Sequence, residues 1–203
     1  MAETGLRPVH PLEGPGLWVE RVGTRVFLPG RPALFLDRDG TVNLDTGYPS
    51  DPDAIVLRDD VLPAIRAANA AGLPVVVVTN QSGIARGLFG WDEFAAVNAR
   101  VLALLAERGC FVDMVLACAY HEAGNGPLGI ADHPMRKPNP GMIRRAAQAL
   151  GIDLSRSVMA GDSAPDMEAG RPAGLPRIFL IGAGGTEAAR IAEAVEAAGR
   201  LVR

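Results

Sequence analysis

Carboxylates occur in pairs at two places in this sequence. Asp37 and Asp39 lie in a DxDGT pattern, and Asp162 and Asp166 lie in a GDxxxD pattern. Each pair directly follows an apolar run. Taken alone, the first pair could belong to a polar turn. The second pair could provide the N-cap of a short following helix, a role for which Asp166 is suited. Brought together, hard carboxylate oxygens favour a divalent cation such as Mg²⁺, which prefers a few protein ligands and leaves room for phosphate and water.

Other polar residues could bind a phosphoryl group at the same place. Thr79 follows a second apolar run and begins the segment TNQSG, whose hydroxyl, amide and backbone N–H groups suit an anion. Lys137 follows Arg136 and precedes a proline. Alone, these segments could be a hydrophilic loop and a solvated cationic pair. Together with Asp37, an established type of nucleophile, and Asp39, a possible general acid and base, they predict phosphoryl chemistry.

The elements that must position these residues follow from the apolar pattern. Unbroken apolar runs, typical of parallel strands buried on both faces, cover 33–36, 75–78, 158–160 and 178–181, and residues 112–117 are a further strand candidate. Helical patterns cover 60–71, 92–108, 139–151 and 186–198. The alternation predicts an α/β fold with a doubly wound, mainly parallel sheet. Ligands of such sheets bind beyond the carboxyl ends of the strands, where the polar segments lie.

The first 30 residues differ from the rest because they are rich in Gly and Pro. Residues 17–22 and 25–28 flank Gly23 and Thr24 in a pattern that predicts a short hairpin. We expect residues 1–30 to form an N-terminal extension that packs on a domain of residues 31–203. The length of 203 residues is enough for one domain with a sizeable core.

Composition argues against several classes of protein. The net charge is −3 and no basic patch stands out, so nucleic acid is not expected as a partner. No apolar run approaches the roughly 20 residues of a membrane span, and the start lacks the features of a secretory signal. Cys110 and Cys118 cannot form a disulfide framework. These features predict a soluble cytoplasmic protein, a monomer or small homo-oligomer, that acts on a small phosphorylated metabolite and does not bind membranes.

The four polar segments resemble the motifs of the haloacid dehalogenase superfamily. DxDGT together with GDxxxD in this order is a specific signal, and the resemblance covers about residues 33 to 182. It implies that Asp37 is the nucleophile and Asp39 the general acid and base of a Mg²⁺-dependent phosphatase. It also implies that Thr79 and Lys137 hold the transferred phosphoryl group. The implied Mg²⁺ ligands are the Asp37 carboxylate, the Asp39 backbone carbonyl and Asp162, with Asp166 in support.

A finer resemblance is to the heptose 1,7-bisphosphate 7-phosphatases and the related histidinol-phosphate phosphatases. Its residues are FLDRDGTVN at 35–43, GY at 47–48, VTNQSGIARG at 78–87 and RKPNPGM at 136–142. It implies a small sugar phosphate as substrate, with histidinol phosphate or another small metabolite as the alternative. The residues implied to meet the substrate are Asp45, Thr46, Gly47, Tyr48, Asn80, Gln81, Ser82, Arg86 and Arg136.

Two positions depart from that family. A Cys-x-His and a Cys-x-Cys pair usually bind a structural zinc ion there, whereas the matching positions here are Cys118, Tyr120, His133 and Met135. Adding His121 to Cys118 and His133 gives three ligands where a closed structural zinc site takes four, so we expect no zinc. Ser163 stands where those enzymes carry a lysine, which weakens the prediction of the specific substrate.

The spacing of the motifs argues against a cap domain, and the presence of Asp39 argues against other classes of protein with a similar acidic site. Only 42 positions separate Asp37 from Thr79, and 58 separate Thr79 from Lys137, so no cap domain is expected. A phospho-accepting receiver module lacks a second acid like Asp39, and its phosphoaspartate persists without turnover. A dehalogenase would use neither that acid nor a metal, and four carboxylates without a metal would be costly to a binding protein.

Overall fold

The computed structural model describes residues 9–182 and 187–200. Its strands are β1 (Leu17–Arg21), β2 (Leu34–Leu36), β3 (Val75–Asn80), β4 (Met114–Cys118), β5 (Val158–Gly161) and β6 (Arg177–Leu180). Its α-helices are α1 (Leu62–Ala70), α2 (Ser82–Ala85), α3 (Trp91–Glu107), α4 (Gly141–Leu150), α5 (Ala164–Ala173) and α6 (Glu187–Arg200). Single turns of 3₁₀-helix cover Pro52–Ala54, Gly126–Leu128 and Leu154–Arg156.

The six strands form one sheet in the order β1-β4-β3-β2-β5-β6. Every neighbouring pair is parallel except β1 and β4. The chain passes from β2 through β3 to β4 on one side, and then returns to β5 and β6 on the other. This reversal makes the carboxyl end of β2 the topological switch point, where ligands bind in such sheets. The predicted doubly wound α/β fold is confirmed, and Asp37 directly follows β2.

The two faces of the sheet bury two separate cores. Leu34 and Leu36 pack in one core with residues of α1, α3 and α6, whereas Phe35 between them packs in the other with residues of α4 and α5. Because side chains alternate along a strand, a strand covered on both sides needs apolar residues at every position. This explains why the central strands appear as unbroken apolar runs in the sequence.

Most predicted elements lie within a few residues of the observed ones, but α5 is longer than the short helix expected after Asp162. It has ten residues, and Pro165 and Pro172 within it hide a helical pattern. Its N-cap is Ser163, and Asp166 occupies the third helical position of a capping box, so Asp166 is not the cap. In the last predicted helix, residue 186 lies outside the described residues, and Glu187–Arg200 is helical as expected.

The predicted N-terminal hairpin is wrong. β1 pairs antiparallel with β4, with Leu17 opposite Cys118, and residues 25–28 form no strand. The edge of β4 offers both free hydrogen-bonding groups and an apolar surface that buries Leu17 and Trp18. Val26, in contrast, is 88% exposed. The division of the chain near residue 30 stays a prediction, although β1 is part of the main sheet.

The stretches that could hold a cap domain contain few elements. All residues from 37 to 137 are described, and they form only β3, β4, α1, α2, α3 and two turns of 3₁₀-helix. This is the content expected of a chain without a cap domain. Among the described residues, no helix has both the length and the apolar character needed to cross a membrane.

Candidate active site

Asp37 and Lys137 meet at the carboxyl end of β2. The Lys137 Nζ donates hydrogen bonds to Asp37 Oδ1 at 2.5 Å, to Asp166 Oδ1 at 2.6 Å and to the Val78 carbonyl oxygen at 2.8 Å. An ammonium group has three N–H donors, so all three are used. Asn80 places the lysine by exchanging two hydrogen bonds with its backbone. Lys137 thus holds the carboxylate of Asp37 in a fixed position.

The cluster is buried and carries excess negative charge. Burial raises the pKa of Asp37 to about 7; Lys137 opposes this shift and Asp166 adds to it. Burial alone would lower the pKa of Lys137, but the two carboxylates outweigh it and the pKa is raised. The pKa of Asp162 is also raised, by burial and by Asp166. Three carboxylates around one ammonium group create a site that favours a further cation.

The carboxylates are close enough to share that cation. Oxygen atoms of Asp37, Asp162 and Asp166 lie within 4.8 Å of one another, and no other such cluster occurs in the part of the chain that the structure describes. Gly40, at φ +82°, allows this approach, because a Cβ there would lie 2.0 Å from Asp162 Oδ2. These donors fit Mg²⁺. Both oxygens of Asp166 already accept hydrogen bonds, from Lys137 and Ser163, which suits its predicted supporting role.

The carboxylate of Asp39 is held by four donated hydrogen bonds. Oδ1 accepts from Arg38 Nε at 2.9 Å and Asn43 Nδ2 at 3.1 Å, and Oδ2 accepts from Arg38 Nη2 and Gln81 Nε2, both at 2.8 Å. Burial alone would raise the pKa of Asp39, but the guanidinium and these hydrogen bonds hold it below its ordinary value. Asp39 is therefore ionised, in the form that can accept a proton.

Arg38 is a residue of the site that the sequence analysis did not identify. Its side chain is 1% exposed, and its guanidinium lies 5.1 Å from the centre of the Phe94 ring. An arginine inside a polar motif gives no sequence signal of burial, since most arginines are solvated. Only the folded structure shows it beneath Asp39.

These groups lie in one open cavity of about 440 Å³. The predicted site residues in its wall are Asp37, Asp39, Asp45, Gly47, Tyr48, Thr79, Asn80, Gln81, Ser82, Lys137 and Asp162. Wall residues not predicted as site residues are Pro49, Gly83, Ser163 and Pro165. Gly83 is required by close packing, because a Cβ there would lie 2.9 Å from the Tyr48 ring.

Four predicted site residues lie outside the wall: Thr46, Arg86, Arg136 and Asp166. Thr46 is exposed. Arg86 donates a hydrogen bond to the Tyr48 hydroxyl, and its guanidinium lies 5.3 Å from the ring centre, so it borders the cavity through Tyr48. Arg136 donates to the carbonyl oxygen of Tyr120 at 3.1 Å. The roles predicted for these side chains stay predictions.

The loop after β4 is packed through its aromatic residues. The rings of Tyr120 and His133 stack with their centres 3.7 Å apart. His133 Nδ1 accepts from the Met135 backbone N–H, and His121 Nδ1 accepts from that of Ala123. Burial raises the pKa of Cys118 to about 11, which disfavours the thiolate. Absence of zinc stays a prediction, but the stacked rings provide the loop with a different means of support.

Comparison with known proteins identifies the family. A family described as haloacid dehalogenase-like hydrolase matches residues 42–174. A Mesorhizobium japonicum protein named D-glycero-beta-D-manno-heptose-1,7-bisphosphate 7-phosphatase is 68% identical over 85% of this chain and 79% of its own length. The crystal structure of a HAD-like phosphatase from Mesorhizobium loti has a TM-score of 0.90 and 60% identity, over 95% of this chain and 99% of that one.

A third comparison includes bound ligands. The structure of D,D-heptose 1,7-bisphosphate phosphatase from B. bronchiseptica, complexed with magnesium and phosphate, matches with a TM-score of 0.66 and 30% identity. The match covers 84% of this chain and 98% of that one. The chain therefore belongs to the haloacid dehalogenase-like hydrolases, and the prediction that it is a phosphatase of that superfamily is confirmed.

Proposed function

We propose that this protein removes the 7-phosphate of D-glycero-β-D-manno-heptose 1,7-bisphosphate in a Mg²⁺-dependent reaction. The observation that carries the proposal is the buried cluster of Asp37, Lys137 and Asp166 beside Asp162, at the switch point of the sheet. The 68% identity to a relative that carries this name supports the choice of substrate. A second carboxylate, Asp39, supports turnover rather than storage of a phosphoaspartate.

Asp37 is the proposed nucleophile. One of its oxygens forms a bond to phosphorus while the bond from phosphorus to the sugar oxygen breaks, and Asp39 delivers a proton to that oxygen. Water then attacks the phosphorus, Asp39 takes its proton, and inorganic phosphate leaves Asp37. Because Asp39 is ionised in the free protein, the proton for the first step arrives with the substrate or from solvent. Lys137 holds Asp37 throughout.

The metal site is proposed from the same residues. Mg²⁺ would be held by the carboxylates of Asp37 and Asp162 and by the Asp39 backbone carbonyl, and it would offset negative charge on the phosphoryl oxygens. The Thr79 hydroxyl, in the cavity wall, would donate a hydrogen bond to the same group. Arg86, which contacts Tyr48 in the cavity wall, and Arg136 are the proposed contacts for the rest of the bisphosphate.

One observation favours a second candidate. Ser163 lines the cavity where the resembled heptose enzymes carry a lysine, and its hydroxyl is engaged with Asp166 at 2.6 Å. The missing positive charge is compatible with histidinol phosphate or another small metabolite with only one phosphate.

The predicted cytoplasmic location is supported by Cys110 and Cys118, which are both free and buried.

A substrate panel tests the proposal. Phosphate release is measured for both anomers of heptose 1,7-bisphosphate and for histidinol phosphate, with Mg²⁺ and with EDTA. We expect the β anomer to give the highest kcat/KM, and phosphorus NMR to show heptose 1-phosphate as the product. Faster hydrolysis of histidinol phosphate than of either anomer would contradict the assigned substrate but not the phosphatase chemistry. A single stoichiometric burst of phosphate without turnover would contradict both.

A further inference from the structure

Gln81 joins two groups that the proposed reaction needs. Its Nε2 donates a hydrogen bond to Asp39 Oδ2 at 2.8 Å and a second to Thr79 Oγ1 at 2.9 Å. Both oxygens are therefore one hydrogen bond away from a single nitrogen atom. The resemblance implies that Gln81 meets the substrate, but its amide nitrogen is engaged with the protein.

The chemistry of the partners fixes the orientation of this amide. Asp39 Oδ2 already accepts a hydrogen bond from the Arg38 guanidinium and has no proton to donate, so the atom of Gln81 that faces it has to be the nitrogen. Both hydrogens of that nitrogen are then used. Thr79 is an acceptor in this contact, which leaves its own hydroxyl hydrogen available to another acceptor. Since Thr79 lines the cavity, that hydrogen can be donated to an oxygen of a ligand bound there.

The backbone holds Gln81 in place from two sides. Its N–H donates to the carbonyl oxygen of Cys118, at the end of β4, at 2.7 Å. Its own carbonyl oxygen accepts from the backbone N–H of Ile84 in α2 at 3.2 Å. Gln81 follows β3 directly and is only 3% exposed. The backbone of Gln81 is therefore held by β3, β4 and α2, and its buried side chain extends from a fixed point.

We propose that Gln81 is a positioning residue, which aligns Asp39 with the leaving oxygen and directs the hydroxyl of Thr79 toward the phosphoryl group. The inference rests on the proposed function, because it assigns Asp39 and Thr79 their roles in that reaction. Gln81 itself contacts neither the phosphorus nor the breaking bond. Its loss should impair the step that protonates the leaving group more than the binding of substrate.

Leaving groups of different basicity test this role. An alkyl phosphate needs a proton on the departing oxygen, whereas p-nitrophenolate leaves without one. For Gln81→Met, of similar length and without a donor, we expect kcat/KM to fall about 10- to 100-fold for an alkyl phosphate. The fall for p-nitrophenyl phosphate should be several times smaller. The ratio of the two values is measured on one preparation, so it does not depend on the fraction of folded protein.

Three further variants calibrate the ratio. Asp39→Asn should also lower the ratio of kcat/KM for the alkyl phosphate to kcat/KM for p-nitrophenyl phosphate. Thr79→Val should lower both kcat/KM values by the same factor, since the phosphoryl group is common to both substrates. Gln148→Met, the same change at an exposed position of α4, should leave both rates unchanged. If Gln81→Met does not fold, Gln81→Asn, which keeps the amide on a shorter side chain, is measured instead.

Two results would overturn the inference. An unchanged ratio in the Gln81 variant, while Asp39→Asn shifts it, would mean that Gln81 does not act through Asp39. A variant with wild-type rates on both substrates would mean the same. If the wild-type chain turned over neither ester with Mg²⁺, the proposed function itself would fail.

Discussion

The floor of the cavity and its rim are built in different ways. The floor consists of Asp37, Thr79 and Lys137 with Asp166 beneath them, and each of these residues is at most 6% exposed. Asp37 follows β2, Thr79 lies in β3, and Lys137 bonds both to Val78 of β3 and to Asp166 of α5. The rim is our name for Tyr48 and Ser163 in the cavity wall together with Arg86 and Arg136 outside it, all of which lie on loops or at a helix start and are partly or fully exposed. The floor is held by buried hydrogen bonds and ion pairs, and the rim is where we expect substrates to be distinguished.

The floor and the rim differ in how many partners their side chains have within the protein. Side chains of the floor form ion pairs and hydrogen bonds with one another, so removing one leaves a buried charge without its partner. A side chain at the rim has few partners within the protein, and its replacement changes mainly what it contacts in a ligand. Variants at the two places should therefore separate stability and chemistry from selectivity.

The largest effect is expected at Lys137. Lys137→Met removes the ammonium group between Asp37 and Asp166 and leaves two buried carboxylates without a counterion. We expect loss of activity and a free energy of unfolding lower by about 3–5 kcal/mol. Urea unfolding followed by circular dichroism measures the second quantity. A loss below about 1 kcal/mol would show that the floor is not held together by this lysine.

Removal of the metal should abolish activity and leave the fold in place. EDTA should inactivate the protein and Mg²⁺ should restore it, because the clustered carboxylates repel one another without a cation. Mg²⁺ should also raise the melting temperature of the wild-type chain, since it binds the folded state. Asp162→Asn should weaken that shift. Full activity in EDTA, or an equal shift in the variant, would contradict the proposed metal site.

Arg136, the residue before Lys137, provides a matched test of the rim. Arg136→Met removes a partly buried cation whose guanidinium bonds to the Tyr120 carbonyl oxygen. We expect KM for the bisphosphate to rise about tenfold, roughly the value of one charged hydrogen bond. The kcat for p-nitrophenyl phosphate should stay the same, with little change in stability. A large loss with both substrates would place Arg136 in the floor instead.

The smallest effect is expected from treatment with a zinc-specific chelator. The purified protein should contain no stoichiometric zinc, and a zinc-specific chelator should leave its melting temperature unchanged. The stacked rings of Tyr120 and His133 should support the loop instead, so Tyr120→Ala should destabilise the protein by a few kcal/mol, about the value for a buried aromatic side chain. Stoichiometric zinc by mass spectrometry would contradict this account of the loop.

The sequence predicts the floor better than its supports. Asp37 and Thr79 follow unbroken apolar runs, and the rule for parallel sheets brings strand ends together. Arg38 escapes this reasoning, and so does the contact of Gln81 with Asp39, because burial of an arginine or an amide beside a carboxylate depends on contacts between distant segments. The hairpin prediction fails for a similar reason: local turn residues favour it, but the open edge of β4 offers β1 a larger buried surface.

The nucleophilic role of Asp37 is the central claim, and a trapped intermediate tests it most directly. Asp39→Asn should slow hydrolysis of the intermediate, so acid quenching during turnover of a phosphate ester should preserve it. Peptide mass spectrometry is then expected to find one phosphoryl group on Asp37, and none when Asp37→Asn is combined with the same change. A phosphoryl group on another residue, or turnover by Asp37→Asn alone, would contradict the account.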